Sequence, residues 1–158
     1  MKHNKGFTLI ELVVVVIILG ILAITAAPRF ISLSDDAANA SLKAMKGTID
    51  SALIISYAKM AIEGKEGSAS AQPEFCSDCD LFAYGYPTNA YADLPRLVEN
   101  MTQSIGGTGD ADWLVTPSFG AGESWIYSKI HADRKCWLVY QPPTESNKKY
   151  SLEVVSCK

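Results

Sequence analysis

Histidine is scarce in this 158-residue chain, with His3 and His131 the only two. No Ser or Cys stands in a recognisable nucleophile context beside His131-Ala132-Asp133. That pair therefore reads as a solvated turn, not as a catalytic dyad. Cationic side chains are also in short supply: 14 Lys and Arg face 17 Asp and Glu, for a net charge of −3. Phosphate backbones need clustered Lys and Arg, so nucleic acid is not an expected partner. Gly106-Gly107-Thr108-Gly109 lacks the preceding strand, the following helix and the Lys of a phosphate-binding loop. No catalytic residue, cofactor or metal is expected.

The four cysteines are Cys76, Cys79, Cys136 and Cys157. Cys76-Ser77-Asp78-Cys79 has the spacing of a redox motif or of half a zinc site. A thioredoxin-like motif follows a strand, and none is indicated here. A four-cysteine zinc site has two close pairs, whereas Cys136 and Cys157 are far apart in sequence. Two disulfides suit an exported domain better, and three connectivities are open.

Charge is scarcest between Phe7 and Ala27, where Glu11 is the one ionisable side chain. As a helix this run is about 31 Å long, enough to cross a hydrocarbon core. Met1-Lys2-His3-Asn4-Lys5 before it is basic, while Arg29 beyond it is soon followed by Asp35 and Asp36. The asymmetry places the N-terminus in the cytoplasm and the remainder outside. A secretory signal has a shorter apolar region and no internal Glu. A plain anchor leaves Glu11 unexplained, at a cost of ~2.5–3.5 kcal/mol in lipid. A cut between Gly6 and Phe7 would supply a cation: the new Phe7 amine, able to meet the Glu11 of a neighbouring copy in a bundle. Loss of Lys2 and Lys5 leaves 12 basic residues against 17 acids, a net charge of −5.

The fold expected is α+β. From Arg29 to about Glu63 the pattern is amphipathic, with Leu42, Met45, Ile49, Ala52, Leu53, Tyr57 and Met60 at three- and four-residue steps. Met45 and Met60 read as core fillers. The whole helix would run from Phe7 to about Ile62, stopped by Glu63-Gly64. Gly20 and Pro28 weaken it, at ~1 and ~3 kcal/mol respectively, and mark either a kink or a hinge. Gly64 to Ala71 is a flexible connection. Asp93 is expected to cap a short helix with Pro95 in its first turn, continuing through Leu97, Val98 and Met101. Tyr84, Tyr86, Tyr91 and Trp113 read as packing residues, with a carbohydrate-binding patch as the alternative. Glu123–Ile130, Lys135–Gln141 and Lys149–Val155 are predicted as an antiparallel meander. Trp125, Tyr127, Trp137 and Tyr150 are its candidates for packing near the helix, and which alternate set faces inward stays open.

Lys5-Gly6-Phe7-Thr8-Leu9-Ile10-Glu11-Leu12-Val13-Val14-Val15 resembles the processing signal of type IV prepilins. Ala26-Ala27-Pro28-Arg29-Phe30, Tyr84-Gly85-Tyr86-Pro87 and the C-terminal Cys pair resemble the mannose-sensitive haemagglutinin (MSHA) type of pilin. The resemblance implies a leader over 1–6, a membrane and filament-core helix over 7–28, and a pilin globular domain over 29–158. A prepilin peptidase would cut after Gly6 and methylate the Phe7 amine. Glu11 would set register in a helical homo-oligomer, and Gly20 and Pro28 would form a hinge that unwinds on packing. Assembly would use an inner-membrane platform and its ATPases. The chain would sit in the inner membrane first and in an extracellular pilus afterwards, for adhesion, with surface carbohydrate one candidate receptor. A major pilin is expected, with a type II secretion pseudopilin or a minor pilin as alternatives. The family's C-terminal loop disulfide corresponds to Cys136–Cys157, and neighbouring antiparallel strands there would bring the two residues close. Cys76 is left with Cys79, a pair outside the general family pattern.

Overall fold

The computed structural model describes residues 7–105, 109–118, 122–131, 133, 135–145 and 147–157; of 27–32 only the backbone is described. The chain divides into two units, Met1–Ala37 and Ala38–Lys158. Helix α1 runs from Leu9 to Ile62, 54 residues, and its backbone assignment continues through Gly20 and Pro28. Within the first unit the window Leu9–Ala26 has a mean hydropathy of 3.0 and none of it is buried.

Ala38, Leu42, Met45, Ile49, Leu53 and Met60 are buried, the helical stripe the sequence pattern predicts. Ala52 is half-buried, and Tyr57 turns partly outward to stack on Tyr86 with ring centroids 5.4 Å apart. The helix ends in a Schellman motif. Gly64 adopts φ +67°, Lys65 N–H donates to the Met60 carbonyl at 2.8 Å, and Gly64 N–H donates to that of Ala61 at 3.1 Å. Beyond it, the Glu63 carboxylate accepts the Glu74 N–H at 3.0 Å, which holds it below its ordinary pKa and pins the following loop to the helix end.

Strands β1, Phe82–Ala83, and β2, Tyr86–Pro87, form a hairpin with Tyr84 at φ 51° and Gly85 at φ 83°. Two consecutive positive φ angles define the turn whose twist suits a two-residue hairpin. Gly85 is also needed for space, since a Cβ there would lie 2.6 Å from the Tyr57 ring. The Gly85 carbonyl accepts the Ser56 hydroxyl at 3.0 Å, docking the turn on α1. The tyrosines of this region are packed: Tyr84 is buried, and Tyr86 meets Tyr57 and Tyr150.

Helix α2, Ala90–Leu97, departs from expectation. Its cap is Asn89, whose side chain accepts the Ala92 N–H at 3.4 Å. Asp93 lies one turn in and is fully buried, and Pro95 is inside the helix. Asp93 is drawn away from capping because it accepts the Asp80 N–H at 2.9 Å from a different segment. Helix α2 ends at Leu97, and Met101 opens strand β3, Met101–Gln103.

The sheet has five strands in the order β3-β4-β5-β6-β7, the others being β4 Trp113–Pro117, β5 Ser124–Ser128, β6 Trp137–Gln141 and β7 Ser151–Val155. The pairs from β4 to β7 are antiparallel, whereas β3 runs parallel to β4, so the sheet is mixed and wider than the three-strand meander. The predicted strand over 123–130 ends early, and Lys129–His131 is a single 3-10 turn. The inward face carries Val115, Ile126, Leu138, Tyr140 and Leu152, which join the α1 stripe and Leu94 in one core. Trp125 and Trp137 stack on each other at 5.4 Å on the opposite face, and Tyr127 pairs with Leu114 there. Those three were candidates for packing near the helix. Strand alternation instead gives the inward positions to Ser124, Ile126 and Ser128. Tyr150 does reach α1, donating to Asp50 at 2.8 Å.

Both disulfides are present, Cys136–Cys157 with Cα atoms 4.7 Å apart and Cys76–Cys79 at 5.4 Å. Asn39 on α1 clamps the first: its Oδ1 accepts the Cys157 N–H at 2.8 Å and its Nδ2 donates to the Cys157 carbonyl at 3.4 Å.

Candidate functional site

The chemistry-bearing stretch is the start of α1. Phe7 is exposed just ahead of the helix, and Thr8 is the residue before its first turn. Thr8 N–H donates to Glu11 Oε2 at 2.9 Å, Thr8 Oγ1 donates to the same oxygen at 2.7 Å, and Glu11 N–H donates back to Thr8 Oγ1 at 3.3 Å. This is a reciprocal capping box, which satisfies two backbone donors that a helix start otherwise leaves open. Thr8 was not singled out in the sequence reading. Its signal was the Thr-x-x-Glu spacing directly before an apolar run. Glu11 therefore has an intrachain partner before any neighbouring subunit is considered.

The large apolar side chains from Phe7 to Ile24 are all exposed. Burying them is worth on the order of 20 kcal/mol, taking ~1.5 kcal/mol for each of these fourteen residues. That outweighs the ~2.5–3.5 kcal/mol for one carboxylate at a bilayer centre. The segment is thus driven into lipid or against apolar partners, and a capped Glu11 does not prevent it. Gly20 sits inside this helix with open space where a Cβ would point. Gly6 lies outside the described residues, as does the 106–108 part of the glycine loop. Of Pro28 the helical backbone is described.

Asp93 is the most perturbed acid. Burial pushes its carboxyl up to about 6, with the nearby Asp80 carboxylate adding to this, while the Asp80 N–H and Arg96, 3.9 Å away, pull the other way. The phenol of Tyr140, which donates to the Pro87 carbonyl at 2.7 Å, faces it from β6 and is itself held well above its usual value by burial. Because the folded-state value lies above the unfolded one, protonated Asp93 favours the fold. This stability is fully present below about pH 4 and is lost as pH rises through about 6, an effect of about 3 kcal/mol. Asp93→Asn keeps an acceptor for Asp80 N–H. Thermal unfolding should show it more stable than wild type at pH 8 and equal to it near pH 4. Parallel profiles would remove the buried charge from the explanation. Among the described residues no cluster of three His, Cys, Asp or Glu is placed to hold a metal.

The geometry defines a class: an α+β, pilin-like architecture in which an exposed apolar helix with a capped acidic start precedes a helix-on-sheet unit closed by a C-terminal disulfide. Comparison with known proteins bears on part of the chain. Residues 1–27 match the family described as the prokaryotic N-terminal methylation motif. Over 51 residues, 32% of this chain and 44% of its relative, the chain is 49% identical to the "Type IV narrow pilus major component PilA5" of Thermus thermophilus. Two proteins described as "Fimbrial protein" from Pseudomonas aeruginosa are 42% identical over 74 residues, 47% of this chain and 46% of theirs. The chain thus spans less than half the length of the curated relatives it matches. No solved structure matches it significantly.

Proposed function

We propose that this chain is a structural subunit of a type IV pilus and not an enzyme. In this reading the peptidase cuts between Gly6 and Phe7 and methylates the Phe7 amine. The subunit waits in the inner membrane with its N-terminus cytoplasmic. The assembly platform and its ATPases then pass it into a surface filament of like subunits, used for adhesion. The observation that carries the reading is the Thr8–Glu11 capping box at the head of an apolar helical span, Leu9–Ala26, with no buried residue. Such a helix needs lipid or copies of itself, and the box fixes the carboxylate four residues from the amine that cleavage would create.

A major subunit is favoured by the description of the Thermus relative as a major component. The C-terminal disulfide favours a pilin over a type II secretion pseudopilin, because the resemblance associates that bridge with pilins. The Tyr84-Gly85 turn and the C-terminal Cys pair support the MSHA type. Gly20 and Pro28 are the proposed hinge, where the helix is intrinsically weakest. Cleavage is tested by replacing Gly6 with Val or Leu and expressing the full chain with its peptidase. The expected product is uncleaved protein beginning at Met1 on electrophoresis and mass spectrometry. Mature-sized protein from these variants would contradict the assigned cut.

A further inference from the structure

The two disulfides sit in different surroundings. Cys136 and Cys157 are both buried, and Asn39 clamps the backbone of Cys157 from two sides. Cys79 is also buried, but its partner Cys76 is only half-buried and lines an open groove of about 380 Å³. Lys59 and Arg96 line the same groove, with Lys59 Nζ 4.9 Å from the centre of the Phe75 ring next to Cys76. The bridge closes a loop of sequence separation 3, against 21 for the other. A short loop gains less from cross-linking than a long one, so this bond contributes less to holding the fold.

We propose that Cys76–Cys79 is a thiol-exchange site, attacked at Cys76 by external thiols of the glutathione or protein-dithiol class. Thiol–disulfide exchange requires access to one sulfur, and cations beside that sulfur attract the incoming thiolate. Cys76 is the half-buried cysteine and shares its groove with Lys59 and Arg96, whereas the other three cysteines are buried. An incoming thiolate bonds to Cys76 Sγ as the Cys76–Cys79 bond breaks. Cys79 leaves with the electron pair and takes up a proton. A dithiol then completes the exchange: its second thiolate attacks the mixed disulfide and Cys76 leaves as a thiolate. The chain gains two electrons and the dithiol becomes a disulfide. With a monothiol the product is Cys76 carrying a mixed disulfide.

The test uses the full chain in detergent, treated with graded dithiothreitol, trapped with N-ethylmaleimide and mapped by peptide mass spectrometry. Cys76 and Cys79 should be alkylated at a dithiothreitol concentration at least tenfold below that needed for Cys136 and Cys157. Opening of both bridges at one concentration, or of Cys136–Cys157 first, would overturn the proposal. Which sulfur of the pair an external reagent can reach is read from C79S and C76S with an aromatic disulfide reagent at pH 7. C79S should react at least tenfold faster, and equal or reversed rates would refute attack at Cys76. Adding Lys59→Met to C79S should move the pH midpoint of that reaction upward, and an unmoved midpoint would remove Lys59 from the site.

Discussion

Glu11→Ala is expected to abolish surface filaments while leaving the chain cleaved after Gly6 and the unit Ala38–Lys158 folded. Two roles of Glu11 are lost together in that variant. One is the cap, in which the carboxylate accepts the Thr8 N–H. The other is the charge that would meet the Phe7 amine of a neighbour. A cap is worth ~1 kcal/mol, too little to prevent assembly driven by a whole apolar helix. Pairing in lipid matters more for register and direction, since either partner alone is an uncompensated charge. Glu11→Gln separates the roles, because Gln also completes a capping box. If pairing controls assembly, E11Q fails as E11A does. Electron microscopy of sheared cells gives the answer, and abundant filaments from E11Q would leave capping as the sole role of this residue.

Cys136→Ser should destabilise the folded unit strongly. The bridge closes a loop of separation 21, which the chain-entropy account values at about 3 kcal/mol. The change also frees Cys157, whose backbone is the anchor for Asn39 on α1. The thermal unfolding midpoint of the disulfide-bonded protein should fall by roughly 10 °C, as expected for that loss in a unit of this size. Cys76→Ser should shift it by only a few degrees, given its short loop. Equal losses from the two variants would mean that loop length does not govern the contribution of these bridges.

Much of the architecture was legible because it rests on long, periodic signals. The apolar run, the stripe from Leu42 to Met60 and the Glu63-Gly64 stop each repeat or punctuate over several turns, and the structure places them as read. The α2 cap was misassigned because Asp93 has the residue type of a cap but is claimed by Asp80 from another segment, a contact of separation 13. Strand β3 has three residues and pairs in parallel with β4, and neither property leaves a local pattern. Which alternate set of the meander faces inward was not legible from the strand pattern alone. Large aromatics suggest burial, yet strand alternation set them on the outer face, where they cover each other. At the candidate site the Gly6-Phe7 and Glu11 positions were read from the motif. Thr8 was passed over although the capping-box spacing was present in the sequence.

The pilus-subunit reading stands or falls on the N-terminus of the protein as it occurs on cells. Filaments sheared from the surface can be purified and their main component sequenced by mass spectrometry. The expected result is an abundant protein beginning at Phe7 with a methylated amine and carrying Cys136–Cys157. A chain that keeps Met1–Gly6, or that is found only in membranes and never in filaments, would contradict it.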